Sequence, residues 1–334
     1  MILEMVLTEQ EKQQYVDICT FLGGFTDLIQ GSGGNFSVKN GNEIMIKSSG
    51  KRIVETTITE GYVVCDIVKL RDLYLEHNNN TLSTVISGDT NTSPSMEVFF
   101  HLIPKKWIIH LHPTFVLKKL CTTAWDSYTS NPKYLTIPYI MPGIDLSIAI
   151  CSQYKNEEII LLQNHGIILC GDSLKEILYI LDNLTEEFAS CRINYAKMFE
   201  FLCSIRTSSD KPCYLKPCTH IKYYNHRYFF QITPDISLFL KTYPMSQETH
   251  DQDIYNLWVK YTEATHTTPS VIVTPGMVYV SGISYKHCIC IEEIFESYIS
   301  IYDSIHTNDI NILNTNNIEM LNGSTQELYR INSL

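Results

Sequence analysis

The run Ile108-Ile109-His110-Leu111-His112-Pro113 sets two histidines two residues apart on a β-branched, apolar segment. Side chains alternate between the faces of a strand, so both imidazoles point to one side and can converge on a single metal ion. A third histidine closes a second apolar run, Leu161-Leu162-Gln163-Asn164-His165-Gly166, and a carboxylate, Glu97, lies upstream beside Ser95. Three imidazoles with one carboxylate suit a catalytic divalent cation. Zinc is the simplest choice, because its catalytic sites keep one position open for water or substrate.

At 334 residues the chain can bury a substantial core and has room for two domains. Its 44% apolar and 18% charged residues are those of a globular protein. The net charge of −11 argues against nonspecific nucleic-acid binding, which needs clustered Lys and Arg. It leaves an anionic substrate open, since backbone N–H groups and a metal can hold a phosphate locally. Met1 to Glu11 is already polar and does not read as a signal peptide. No run approaches the roughly 20 apolar residues of a membrane helix. Eleven cysteines without regular spacing fit free thiols in a reducing cytoplasm. Cys213/Cys218 and His287-Cys288/Cys290 lack finger spacing on both sides and make a poor second zinc site.

Thr8 and Glu11 form a capping box ahead of Tyr15, Ile18, Cys19 and Leu22 at helical spacing, and Gly23-Gly24 ends that helix. After the glycine-rich loop 31–35, strands are expected at Phe36–Lys39 and Glu43–Lys47 about the turn Asn40-Gly41-Asn42. Asn78-Asn79-Asn80 reads as a polar loop. Pro94 is placed as the first residue of a helix carrying Glu97, Phe100 and His101. Strands follow at Trp107–Leu111, Ile159–Leu162 and Ile167–Leu169, and Ser173 with Glu176 caps a long helix. The polar stretch near 205–215 marks a boundary between a domain of 1–205 and one of 206–334. In the second, a strand near Tyr228–Ile232, a helix near 251–265, a strand at Ser270–Val273 and a helix from about His287 to Ile305 suggest a small α/β domain. The Asn-rich 306–323 reads as a loop.

Singly, each signal has an ordinary reading: a His-x-His in a packed strand, glycines in a turn, a first-turn glutamate, a core histidine at His101. Their order is what distinguishes them. Gly33-Gly34-Asn35-Phe36-Ser37, Lys47-Ser48-Ser49-Gly50, Pro94-Ser95-Met96-Glu97, His110-Leu111-His112-Pro113 and Asn164-His165-Gly166 together resemble the class II aldolase/adducin family over residues 10–200. Ser93–His101, Ile137–Gly143, Val273–Met277 and, more weakly, Glu327–Arg330 are similar to the aldolase part of bifunctional rhamnulose-1-phosphate aldolase/lactaldehyde dehydrogenases. No Gly-x-Gly-x-x-Gly loop of a nicotinamide domain is found in the chain.

The resemblance implies an α/β fold: a class II aldolase-like α/β/α sandwich around a mainly antiparallel sheet, with a smaller C-terminal α/β domain. It implies that His110, His112 and His165 hold one Zn2+ and that Glu97 is the acid/base. Gly34, Asn35, Ser49, Gly50 and Ser95 would contact the substrate phosphate. Met96 stands where several family aldolases have serine, which removes one phosphate hydroxyl. The expected activity is cleavage of a (deoxy)ketose 1-phosphate to dihydroxyacetone phosphate and a short aldehyde such as lactaldehyde. The alternatives are a pentulose-phosphate 4-epimerase, or a non-catalytic adducin-like scaffold, whose heads lack the metal set. A phosphorylated sugar is the expected partner, with no nucleic acid and no membrane. A cytoplasmic homo-oligomer, a tetramer by resemblance, is expected.

Overall fold

The computed structural model describes residues 6–78, 82–87, 92–189, 193–208, 213–221, 224, 229–304 and 311–332. It divides into two units, Met1–Ala196 and Lys197–Leu334. The division falls near the start of the helix Tyr195–Thr207.

In the first unit the expected capping box forms. Thr8 Oγ1 accepts from the Glu11 N–H, and Glu11 Oε2 accepts from the Thr8 N–H, at the head of the helix Glu9–Gly23. Seven strands follow: β1 (Asn35–Asn40), β2 (Glu43–Lys47), β3 (Tyr62–Asp66), β4 (Trp107–Leu111), β5 (Leu135–Ile137), β6 (Ile159–Leu162) and β7 (Gly166–Gly171). Their order is β3-β2-β1-β4-β7-β6-β5, with every pairing antiparallel except β5 with β6. The β1–β2 hairpin turns at Gly41, whose φ of +57° suits a residue without a Cβ.

Register decides which residues share a face. Asn35 pairs with His110, Ser37 with Ile108, and His110 with Ile168, so these side chains lie on one side of the sheet. Helices Ile67–Leu75 and Ile144–Gln153 and the 3₁₀ helix Val98–Leu102 cover that side. Ile44, Ile46 and Val63 pack with Leu70 and Phe99, and Ile108, Ile160 and Ile168 pack with Phe100, Leu146 and Ile150. The capped helix Leu174–Ala189 packs on the opposite side, where Ile177 approaches Gly171 so closely that a Cβ there would lie 2.9 Å from it. The architecture is therefore the expected α/β/α sandwich on a mainly antiparallel sheet.

Pro94 does not begin a helix. It forms an isolated bridge with Ser48, Ser95 N–H donates to Lys47 O, and Ser49 N–H donates to Ser93 O. The backbone of this segment is spent on extending the end of β2, and helical turns start only at Val98, with Glu97 in the cap position. Asn79 and Asn80 lie outside the described residues.

The second unit holds a smaller sheet in the order β8-β11-β10-β9, of β8 (Tyr214–Pro217), β9 (Met245–Ser246), β10 (Val271–Thr274) and β11 (Met277–Gly282). Val271, Val278 and Val280 pack against Cys288, Ile291, Phe295 and Tyr298, all on the buried side of the helix Tyr285–Ser304. The segment Thr274-Pro275-Gly276-Met277 is the hairpin turn between β10 and β11, with Gly276 at φ +99°. Two expectations fail here. Residues 229–232 form no strand, and Tyr228 lies outside the described residues. Within the expected loop 306–323, Thr315–Asn322 is helical because the Asn314 side chain caps it by accepting from the Asn317 N–H. Residues 306–310 lie outside the described residues. No described helix is long and apolar enough to cross a membrane.

Candidate metal centre

The two-residue spacing in β4 and the register with β7 bring three histidines to one point. His110 Nε2 lies 3.0 Å from His112 Nε2 and 3.3 Å from His165 Nε2. His110 Nδ1–H donates to Ile167 O at 2.9 Å, which leaves the Nε2 lone pair facing its neighbours. Among the described residues, these three form the one group of His, Cys, Asp or Glu donors close enough to share an ion. Cys213, Cys218, His287, Cys288 and Cys290 build no second one, and the described cysteines are free thiols.

Backbone conformation makes this convergence possible. Asn164 adopts φ +55°, a left-handed turn that asparagine tolerates, and it redirects the chain so that His165 faces β4. A Cβ on Gly166 would lie 2.3 Å from Leu111 O, and one on Gly34 would lie 2.7 Å from His110 O. These glycines allow their segments to lie directly against the histidine strand.

Glu97 completes the group. It is 7% exposed, with Oε2 3.5 Å from His110 Nε2 and Oε1 3.4 Å from His165 Nε2. Asn35 Nδ2 donates to Oε2 at 2.8 Å, whereas the buried Oε1 accepts no hydrogen bond from any described residue. Burial and the neighbouring imidazoles push His110 and His112 down to about 3. Burial also lowers His165, while Glu97 pulls it the other way. The imidazoles are therefore neutral, the form that ligates metals. Nitrogens sharing one tetrahedral zinc at the usual bond length of ~2.0–2.1 Å lie about 3.3 Å apart. The observed separations, together with a buried carboxylate oxygen lacking a donor among the described residues, fit a cation.

Behind Glu97 runs a buried chain of hydrogen bonds. Asn35 Nδ2 also donates to Ser95 Oγ at 3.2 Å, His101 Nε2–H donates to Asn35 Oδ1 at 2.5 Å, and Ser37 Oγ–H donates to His101 Nδ1 at 2.6 Å. Burial first, then Lys39, keeps His101 well below its ordinary value, which agrees with a neutral ring that accepts at Nδ1.

The residues expected at a phosphate are divided. The Asn35 and Ser95 side chains are committed to Glu97 and to each other. Gly34 is buried against His110. Ser49 and Gly50 are exposed, and Gly50, at φ +74°, faces open space. Lys47 was not foreseen: its buried ammonium donates to Ser32 O at 2.7 Å and Lys51 O at 2.9 Å and so ties the two glycine-containing loops together. Its place after Ile44-Met45-Ile46, at the end of an apolar strand, is the signal that could have found it.

Comparison with known proteins gives a consistent picture. The profile of the Class II Aldolase and Adducin N-terminal domain matches residues 13–192. The chain is 32% identical over 120 residues to a 3-oxo-tetronate 4-phosphate decarboxylase of Escherichia coli K12, covering 30% of this chain and 55% of the relative. It thus spans about half the length of that relative. It is 24% identical over 188 residues to an L-fuculose phosphate aldolase of Methanococcus maripaludis, covering 54% of this chain and 94% of the relative. A similar solved structure is the N-terminal class II aldolase domain of a conserved protein from Thermoplasma acidophilum. Its TM-score is 0.45 at 24% identity, over 52% of this chain and 89% of that one.

Proposed function

Because the chain belongs to the class II aldolase and adducin family by its match over residues 13–192, we propose that it is a zinc-dependent aldolase. It would cleave a (deoxy)ketose 1-phosphate to dihydroxyacetone phosphate and a short aldehyde such as lactaldehyde. The observation that carries this reading is the meeting of three neutral Nε2 atoms, at 3.0 and 3.3 Å, beside a buried carboxylate oxygen with no donor. An adducin-like scaffold gives no reason to assemble such a group.

In this reading His110, His112 and His165 hold the metal. When bound, it supplies positive charge to the two substrate oxygens on which charge collects as the carbon–carbon bond beside a ketone breaks. Glu97 moves the proton: Asn35 fixes Oε2, and Oε1 is left to give a proton to, or take one from, the reacting carbon. His101 and Ser37 hold the Asn35 amide in the orientation this requires. The phosphate is assigned to the loop at Ser49 and Gly50, where open space, the Ser49 hydroxyl and the Gly50 N–H can receive it without net positive charge. A cytoplasmic homotetramer belongs to the same reading.

The 32% identity to the E. coli decarboxylase favours one second reading, loss of carbon dioxide from a phosphorylated 3-oxo acid. That reaction collects charge on the same kind of oxygen pair and uses the same donors. Incubation of the zinc-loaded protein with rhamnulose 1-phosphate, fuculose 1-phosphate, ribulose 5-phosphate and 3-oxo-tetronate 4-phosphate separates the outcomes. Free dihydroxyacetone phosphate, abolished by chelation and restored by about one zinc per chain, is expected. Sugar interconversion without cleavage, or carbon dioxide release alone, would overturn the aldolase reading.

A further inference from the structure

We propose that a cavity at the far end of β1 and β4 from the histidines is a second oxyanion site, one that takes a phosphoryl group. The cavity has a volume of about 210 Å³, and Lys39, Arg71, Lys105 and Lys106 line it around an apolar wall of Ile103 and Pro104. Four cations and no acidic residue line it, in a chain whose net charge is −11. Two of the cations are partly neutralised by acids outside the lining: Lys105 by Asp172 at 3.2 Å and Lys106 by Glu11 at 2.6 Å.

The other two make no ion pair with a described residue. Lys39 Nζ donates to His101 O at 2.6 Å and to Ile103 O, which leaves one of its three donors for the cavity. The exposed Arg71 guanidinium makes no hydrogen bond or ion pair with any described residue. A planar fork of donors facing a half-buried ammonium matches the tetrahedral oxygens of phosphate, which arginine grips bidentately. Without an anion these charges oppose one another: burial chiefly, and Arg71 as well, lower the Lys39 amine to about 7. A bound oxyanion relieves both effects. This site is separate from Ser49 and Gly50, because β1 runs from Asn35 at the metal centre to Lys39 and Asn40 at the cavity, and β4 runs from His110 back to Trp107, next to Lys106 of the lining.

The phosphoryl group can be free phosphate or part of a phosphorylated metabolite. Calorimetric titration of the zinc-loaded, full-length protein with inorganic phosphate and with glycerol 3-phosphate, at constant ionic strength in chloride, distinguishes the two. A binding event is expected that Arg71→Gln weakens about tenfold, Arg71→Glu abolishes and Ser49→Ala leaves in place. Binding of both ligands identifies free phosphate as sufficient, and binding of the ester alone identifies a phosphorylated metabolite. If neither ligand binds more tightly than chloride, or if Arg71→Glu binds as the wild type does, the second site does not exist.

Discussion

His101 and the group His110, His112 and His165 lie on one side of the same sheet, and they are held differently. Both nitrogens of His101 are satisfied, by Ser37 on one side and Asn35 on the other. The Nε2 atoms of His110, His112 and His165 instead face one another across 3.0 and 3.3 Å, and His165 Nδ1 has no partner among the described residues. Folding explains the first arrangement, because a buried polar ring must be hydrogen-bonded. It does not explain the second, which costs free energy until something fills the space between the nitrogens. A buried histidine therefore tells little about function until the targets of both nitrogens are known.

The contrast can be broken most severely at His165. Its replacement by alanine should abolish stoichiometric zinc and lower activity by about 10³-fold or more, the size of the several kcal/mol a Lewis acid supplies. The unfolding free energy of the metal-free protein should change by less than about 1 kcal/mol, since the ring loses only long contacts, to His110 Nε2 at 3.3 Å and Glu97 Oε1 at 3.4 Å, and its Nδ1 has no partner among the described residues. Metal analysis, steady-state assays and urea unfolding give the three readings. The opposite pattern is expected for His101→Ala: a loss of about 2–4 kcal/mol in stability, because Asn35 Oδ1 and the Ser37 hydroxyl are left buried without the ring they bond, with zinc still bound. Equal destabilisation by the two substitutions would erase the distinction.

A further effect is on acid stability. His110 and His112 sit at about 3 in the folded protein and near 6.5 when unfolded, so the unfolded chain binds more protons between these values. Their contribution to the metal-free protein is fully present above pH 6.5. It is lost as pH falls toward 3, by up to about 1.4 kcal/mol per pH unit for each ring. Thermal unfolding of metal-free protein from pH 7.5 to 5 should show this slope, and zinc should move its onset to lower pH.

Much of this arrangement was legible in the sequence because it depends on short-range rules. Alternation along a strand predicts that His110 and His112 share a face, and Ser173 with Glu176 announces a helix start that forms as read. Pro94 misleads because nothing near it in sequence reveals that Lys47 and Ser48 will pair with its segment. Asn35 reads as a loop residue, and only the register of β1 on β4 turns its amide toward Glu97. The Asn-rich composition before residue 323 hides a helix whose cap is itself an asparagine. In each case the missing information is a partner distant along the chain.

That distance has a consequence for how the centre comes into being. His110 and His165 are 55 residues apart, and Asn35 and Glu97 are 62 apart, yet each pair meets within hydrogen-bonding reach. No short peptide excised from this protein carries the full donor set, and a fragment ending before His165 lacks one of the three imidazoles. Metal binding can reward strands that are already aligned, but it cannot seed their alignment, and a one-residue slip of β7 along β4 would scatter the donors to opposite sides of the sheet.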